Sequence, residues 1–183
     1  PDSNRGRAIS VAPGRCCPYN GRRVLDTSFR MYKAARVKEG QMKLDKKVAI
    51  VTGAGRNIGE AIGHAFVAEG ASVALVDVRL DAVQAVANAI NATNPGRAIA
   101  ISADVSSGPA VQEMVSGTVA AFGGVDILVN NAAVTDHTPC LELEEDEWDL
   151  VIDVTLKSVF LCVKYVGRQM RDQGRGGRII NIA

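Results

Sequence analysis

Apolar residues recur along the chain with two alternating periods, and this alternation predicts the order of strands and helices. Short continuous apolar runs rich in β-branched residues are typical of strands that are buried on both faces of a sheet. Five such runs predict strands at 48–51, 72–78, 98–105, 125–129 and 178–182. Between them, apolar residues spaced three and four apart predict helices at 58–68, 80–93, 109–122 and from Trp148 to about Arg171.

The predicted helices differ in how much apolar surface they carry. The first is expected to pack through one face, made of Ile58, Ala61, Ile62, Ala65, Phe66 and Ala68. The second is expected to pack through Val83, Val86, Ala87 and Ile90. The long last helix is apolar around much of its girth, and its Trp148 is expected to dock on the core. The acidic run at 142–149 is interpreted as a solvated first helical turn, which the helix dipole favours.

A glycine-rich turn at 52–59 joins the first strand to the first helix. A turn with little side chain lets backbone N–H groups approach a pyrophosphate, and the helix directs its positive N-terminal end towards it. Asp77 ends the second strand about 18 residues after Gly59, where a carboxylate can accept both hydroxyls of a ribose. A glycine turn alone also occurs for packing reasons, but with this strand, helix and carboxylate it predicts a dinucleotide-binding βαβ unit.

Alternating strands and helices with short connections require a parallel sheet that is covered by helices on both faces. Right-handed crossovers and the dinucleotide fingerprint predict a Rossmann-type, doubly wound α/β sheet of about five strands in the order 3-2-1-4-5. The predicted domain spans 42–183. Residues 1–41 show no sustained periodicity, and we expect them to be a disordered basic extension.

Composition narrows the class of protein. The chain is 47% apolar and 22% charged, as in a globular protein, with a net charge of +1. Residues 1–43 hold ten Lys or Arg against three Asp or Glu, yet no binding motif or interleaved aromatic residues indicate nucleic acid. No apolar run approaches the roughly 20 residues that span a membrane. Cys16, Cys17, Cys140 and Cys162 form no metal-ligand pattern and indicate reduced thiols in a cytoplasmic protein.

Four segments together resemble the short-chain dehydrogenase/reductase family over nearly all of 42–183. The turn TGAGRNIG at 52–59 is similar to the family's TGxxxGxG, and Asn130–Ala133 is similar to its NNAG. Asp104-Val105 resembles the pair that contacts the adenine ring, and 177–183 resembles the GRIINIS strand. With Asp77, these segments give ten candidate cofactor-binding residues: Gly53, Arg56, Asn57, Ile58, Gly59, Asp77, Asp104, Val105, Asn131 and Ala132.

Three residues depart from the family pattern. Asn57 stands where the turn has its middle glycine, and Asn tolerates positive φ better than most residues, which would preserve the turn. Ala133 replaces the last glycine of NNAG and adds only a methyl group. Thr155 replaces an Asn that, in the family, bends the long helix, holds a water and joins a proton relay. Thr can bond a water but reaches less far.

The resemblance implies an NAD(P)-dependent oxidoreductase that transfers hydride between nicotinamide and an alcohol or ketone. It also implies that the catalytic Ser would follow Ala183, and that the Tyr-x-x-x-Lys pair and further strands lie beyond it. This chain is therefore predicted to hold the cofactor site, no catalytic residue and no metal site, and to be inactive by itself. The alternative is a catalytically inactive nucleotide-binding or regulatory protein. Within the enzyme class, 3-oxoacyl carrier-protein reductase and sugar or polyol dehydrogenase both stay open.

The preferred cofactor is NAD, because the carboxylate of Asp77 would repel the 2′-phosphate of NADP. NADP stays an alternative, since a basic side chain at Arg56 or Arg79 could pair with that phosphate. The resemblance implies a homodimer or homotetramer of the full-length protein, packed through the long helix. Burial of this helix under further C-terminal structure is the competing account.

Overall fold

The computed structural model describes residues 42–183, so the predicted extension at 1–41, with Cys16 and Cys17, lies outside the described residues. Strands and helices alternate from Val48 onwards. They are β1 Val48–Thr52, α1 Asn57–Ala68, β2 Ser72–Asp77, α2 Leu80–Thr93, β3 Ala98–Ser102, α3 Gly108–Phe122, β4 Ile127–Asn130, α4 Glu145–Ile152, a π-turn Asp153–Lys157, α5 Ser158–Asp172 and β5 Arg178–Asn181.

The five strands of the described region form one parallel sheet in the order β3-β2-β1-β4-β5, which confirms the predicted order. β1 lies in the middle and is buried along its whole length. Its Val51 is level with Leu75 of β2 on one side and with Val129 of β4 on the other. The strand order reverses at β1, and ligands of doubly wound sheets bind in the crevice at such a point.

Two apolar layers cover the sheet, one on each face. Val51 and Leu75 belong to the layer that α1 and α2 cover. Ile50 belongs to the opposite layer, together with Met114 of α3 and Cys162 of α5. Neighbouring residues of β1 thus face opposite sides, as the pleat of a strand requires.

Helix α1 packs through only part of the face that the apolar pattern predicts. Of the six predicted residues, Ile62 and Phe66 are half-buried, whereas Ile58, Ala61, Ala65 and Ala68 are exposed. The fully buried positions are Gly59, Gly63 and Val67. A Cβ on Gly63 would lie only 2.6 Å from Cδ2 of Leu75. The prediction was correct for Ile62 and Phe66, which pack against the core, and wrong for the other four residues. Gly59, Gly63 and Val67 complete the buried face, and the two glycines carry no apolar signal.

The predicted long helix is divided in the structure. Helix α4 begins at Glu145, three residues before Trp148, and the π-turn Asp153–Lys157 separates it from α5. Trp148 is 55% exposed, so its predicted docking on the core was wrong. No residue of α4 is buried. The helix therefore lies on the surface of the described domain.

Two strand ends differ from the prediction by two residues or more. β3 ends at Ser102 because Asp104 begins a turn, in which its Oδ1 accepts the N–H of Ser106 at 2.9 Å and the hydroxyl of Ser106 at 2.7 Å. β4 begins at Ile127 rather than Val125. The side chain of Gln173 bonds both main-chain polar groups of Val125, its N–H at 3.1 Å and its carbonyl at 2.6 Å. A side chain therefore occupies the groups that a neighbouring strand would otherwise bond.

Candidate functional site

A cleft of about 560 Å³ opens at the carboxyl ends of β1, β2 and β4. Nine of the ten predicted site residues line it: Gly53, Arg56, Asn57, Ile58, Asp77, Asp104, Val105, Asn131 and Ala132. The tenth, Gly59, lies buried beneath the turn, where a Cβ would collide with the carbonyl oxygen of Gly53. The structure thus brings the predicted residues together around one cleft.

The glycine turn depends on backbone conformations that most residues avoid. Gly53 has φ +62, and a Cβ there would lie 2.9 Å from Cα of Ala132. Asn57, the first residue of α1, has φ 52, which is the left-handed conformation that its replacement of glycine was expected to tolerate. The turn therefore delivers the start of a helix of 12 residues to the cleft. The free N–H groups at such a start attract anions.

Thr52 joins the ends of β1 and β4, and it was absent from the predicted site residues. Its hydroxyl accepts the N–H of Asn131 at 3.0 Å and that of Ala132 at 3.1 Å. The same hydroxyl donates to the carbonyl of Val129 at 3.3 Å. The available signal was a hydroxyl residue at the point where a buried strand enters a turn.

The side chain of Asn131 holds the glycine turn from the other side. Its Nδ2 donates to the carbonyl of Thr52 at 3.0 Å and to that of Gly53 at 3.1 Å. The amide nitrogen is therefore committed to the protein itself. This contact positions the turn relative to β4.

Asp77 lines the cleft at the end of β2, and both of its carboxylate oxygens are already bonded to main chain. Oδ2 accepts the N–H of Gly55 at 3.0 Å, and Oδ1 accepts the N–H of Arg79 at 3.1 Å. The Nε of Arg79 lies 3.7 Å from Oδ1, on a side chain that is half exposed. The side chain of Asp77 is 12% exposed, so a ligand can reach it from the cleft only.

Mostly apolar residues outside the ten candidates complete the walls. They are Val76, Val78, Ala103, Ala133, Val134, Leu150 and Val154, together with the charged Arg79. Cleft walls of this kind suit a planar ring, with a few polar groups that set its orientation. Sequence patterns cannot separate such residues from ordinary core residues.

Some kinds of site are absent from the part of the chain that the structure describes. Between residues 42 and 183, no three His, Cys, Asp or Glu side chains are grouped so that they could hold a metal ion. None of the helices in this region has the length and apolar content that crossing a bilayer requires.

Residues 47–183 match the model of the short chain dehydrogenase family. The chain belongs to this family. It is 42% identical over 146 residues to a short chain dehydrogenase/reductase of Aspergillus oryzae, a match that covers 79% of this chain and 56% of the relative. It is 38% identical over 142 residues to the sorbitol dehydrogenase of Cereibacter sphaeroides, covering 78% and 54%. The chain thus spans about half the length of these curated relatives.

A solved structure of the family has the same fold. It is a 3-ketoacyl-(acyl-carrier-protein) reductase of Brucella melitensis in complex with NADH. Its TM-score is 0.71 at 32% sequence identity, and the match covers 76% of this chain and 58% of that chain.

Against the family pattern, Thr155 is the departure that the structure explains most directly. Its hydroxyl donates to the carbonyl of Val134 at 3.1 Å and accepts the N–H of the same residue at 3.3 Å. Thr155 lies within the π-turn, which is a single turn of π-helix between α4 and α5. Such π-bulges inside α-helices recur at functional sites. The hydroxyl therefore gives its only proton to main chain, and one lone pair stays open to a water.

Proposed function

We propose that residues 42–183 bind a nicotinamide dinucleotide as the cofactor-binding part of an oxidoreductase. The whole enzyme would transfer hydride between the nicotinamide and a small alcohol or ketone. The observation that carries this proposal is the meeting of three features in one cleft, namely the glycine turn, the start of α1 and the carboxylate of Asp77. Support also comes from the family membership and from the NADH that the Brucella relative holds.

The residues of the cleft suit the parts of a dinucleotide. Main-chain N–H groups of Gly53–Gly59 and the start of α1 would hold the pyrophosphate. Asp77 would accept the adenosine ribose hydroxyls, because a carboxylate has about four lone pairs and two are in use here. Asp104 and Val105 would contact the adenine, with Asn131 and Ala132 towards the nicotinamide side. The nicotinamide itself supplies the hydride chemistry.

NAD is the cofactor that the charges favour. A 2′-phosphate would be placed against the carboxylate of Asp77, and like charges at short range repel. Arg79 could offset this repulsion, since its Nε lies 3.7 Å from the same carboxylate and would also reach a phosphate. Arg56 is exposed at the rim of the cleft and could contribute in the same way.

A fluorescence titration with NADH tests the proposal. We expect the wild-type chain to bind NADH and Asp77→Ala to weaken binding at least about tenfold, because hydrogen bonds to a charged acceptor are lost. The matched control is Asp81→Ala, an exposed carboxylate in the first turn of α2 that does not line the cleft. Absence of NADH binding by the wild-type chain, or equal effects of the two variants, would reject the proposal.

We further propose that the 183-residue chain binds cofactor without turning over substrate. None of its three tyrosines has a Lys four residues later, and Tyr165 is followed at that spacing by Gln169. The same observation would suit a non-catalytic nucleotide-binding or regulatory protein. Relatives that act on sorbitol and on 3-oxoacyl carrier protein support assays with sorbitol plus NAD and a 3-oxoacyl thioester plus NADH. Turnover of either substrate by this chain would contradict the proposal.

Self-association is proposed through the surface of the π-turn and α5. Leu156 is 64% exposed and Phe160 is 61% exposed, and exposed apolar residues that lie together mark association surfaces. A homodimer that packs these residues would remove them from water. We expect Phe160→Glu to shift the chain towards monomer in sedimentation velocity, with Gln84→Glu, exposed on α2 over the other face of the sheet, as a control for added charge. A monomeric wild-type chain would contradict the proposal.

A further inference from the structure

Gly55 contacts the candidate ribose-binding carboxylate, although Gly55 is not among the residues that line the cleft. Its N–H donates to Oδ2 of Asp77 at 3.0 Å. A Cβ on Gly55 would lie 2.8 Å from the same oxygen and 3.0 Å from Cβ of Ala82 in α2. Real Cβ atoms essentially never approach other atoms to 2.8 Å, so a side chain here must displace its neighbours.

Conformation does not explain the glycine at this position. Gly53 has a positive φ, whereas Gly55 is absent from the positive-φ glycines of the described residues. Its place in the turn also corresponds to a variable position of TGxxxGxG, while Asn57 occupies a glycine position of that pattern. The space beside Asp77 is therefore the specific requirement that Gly55 meets.

The two main-chain N–H groups fix Asp77 before a ligand arrives. Gly55 bonds Oδ2 and Arg79 bonds Oδ1, so main-chain N–H groups hold the orientation of the carboxylate at both oxygens. A carboxylate has about four acceptor positions, which leaves about two for the hydroxyls of a ribose. Groups that are held in their bound arrangement bind a ligand more tightly, because less ordering remains to be done.

We propose that Gly55 is a specificity-determining position, which sets the preference for NADH over NADPH through the placement of Asp77. The inference rests on the proposed function of the cleft. A methyl group at position 55 displaces the carboxylate, and the ribose of NADH loses its acceptors. NADPH loses less, because the displaced carboxylate repels its 2′-phosphate less and Arg79 can pair with that phosphate.

The test compares NADH and NADPH affinities of the wild-type chain and Gly55→Ala by fluorescence titration. We expect the NADH affinity to fall at least about tenfold and the ratio of the two affinities to shift at least about tenfold towards NADPH. Gly117→Ala is the matched control, because a Cβ at that exposed position in α3 would meet only Cδ1 of Ile101, at an ordinary contact distance of 3.7 Å, and lies outside the cleft lining. Equal weakening of both cofactors would indicate a merely structural role and would overturn the proposal.

A double-mutant comparison tests whether Gly55 affects the choice of cofactor through Asp77. Adding Gly55→Ala to Asp77→Ala must leave the NADH-to-NADPH ratio unchanged, since the group through which Gly55 acts is already gone. A further shift in that ratio would overturn the proposal.

Amide hydrogen exchange provides a measurement that does not depend on the folding of Gly55→Ala. In Asp77→Ala, the amide of Gly55 should exchange at least about tenfold faster than in the wild-type chain. An unchanged rate would overturn the proposal. A wild-type chain that binds neither cofactor would overturn the proposed function together with this inference, whereas NADH binding with an unchanged ratio in Gly55→Ala would overturn this inference alone.

Discussion

The hydroxyl of Thr155 and the main chain of Val134 bond each other in both directions, at 3.1 Å from hydroxyl to carbonyl and 3.3 Å from N–H to hydroxyl. One side chain thereby ties the π-turn to the segment that leaves β4. Because Val134 lines the cleft, this contact helps to position the cleft wall. The two residues that form it are 21 positions apart in the chain.

Thr155→Val should lower the free energy of unfolding by about 1 kcal/mol, because the valine has the same shape but can neither donate nor accept. Urea denaturation followed by circular dichroism measures the change. Thr155→Ser, which keeps the hydroxyl, should retain most of the stability. Equal losses in the two variants would show that the methyl group rather than the hydroxyl matters.

Asp126 joins three segments at the amino ends of the strands, opposite the cleft. Its Oδ2 accepts the buried N–H of Val48 at 2.9 Å, and its Oδ1 accepts Nε of Arg175 at 2.8 Å. We expect Asp126→Ala to lower the free energy of unfolding by about 2 kcal/mol, since it leaves a buried N–H without a partner. Asp126→Asn should cost about half as much, because its amide oxygen can still accept that N–H. Equal costs in urea denaturation would contradict this account.

Asn57 holds a left-handed conformation at the start of α1. We expect Asn57→Gly to raise the free energy of unfolding by about 0.5 kcal/mol and Asn57→Ala to lower it by about 1 kcal/mol, because a Cβ disfavours positive φ. Ala61→Gly serves as a control of opposite sign. Ala61 is exposed in the interior of the same helix, so glycine there should cost about 1 kcal/mol. Thermal melts that show Asn57→Gly less stable than the wild type would refute the prediction.

The buried thiol of Cys162 should make the free energy of unfolding fall as the pH rises above about 9. Burial raises the pKa of its thiol from 9.0 to about 12, because the charged thiolate loses its hydration in the core. The folded chain keeps the proton while the unfolded chain releases it, so this contribution is complete below pH 9 and is lost as pH rises towards 12. Between pH 9 and 10, wild-type stability should fall by about 1 kcal/mol more than that of Cys162→Ala. Parallel pH profiles in urea denaturation would disprove it.

We propose that the folded domain begins at residue 42. The main-chain N–H of Lys43 donates to the Glu69 carboxylate and that of Leu44 to the Glu69 carbonyl, each at 2.9 Å, and Leu44 packs against the core. Deletion of residues 1–41 should leave the melting temperature and NADH affinity unchanged. Deletion of residues 1–46 should lower the melting temperature, because it removes these anchors. A large loss with the shorter deletion would reject the boundary.

The features that sequence predicted best depend on side chains within one element. Helix α2 begins at Leu80 and ends at Thr93, as predicted, and its buried residues are the four that the apolar period indicates. The strand order was also confirmed, since it follows from crossover handedness and from the position of the glycine turn. The apolar period of α2 is complete within a short stretch of chain, whereas the strand order rests on a connection rule that holds for the whole sheet.

The features that sequence missed depend on contacts between distant residues or on atoms that glycine lacks. Part of the buried face of α1 is built by Gly59 and Gly63, which carry no apolar signal. The start of β4 is decided by Gln173, which lies 48 residues from Val125. Thr52 acts through hydrogen bonds to residues 77 to 80 positions away. A periodic pattern within one helix or strand cannot reveal contacts between residues so far apart in the chain.

Because β1 pairs with both β2 and β4, it joins the two halves of the described sheet, β2 with β3 and β4 with β5. The carboxylate of Asp77, proposed to bind the adenosine ribose, lies at the end of β2 in one half. The side-chain amide of Asn131, which holds the glycine turn, follows β4 in the other half. A dinucleotide bound across the end of β1 would contact both halves of the sheet. Binding would therefore stabilise the folded domain, so that its free energy of unfolding would rise with the cofactor concentration.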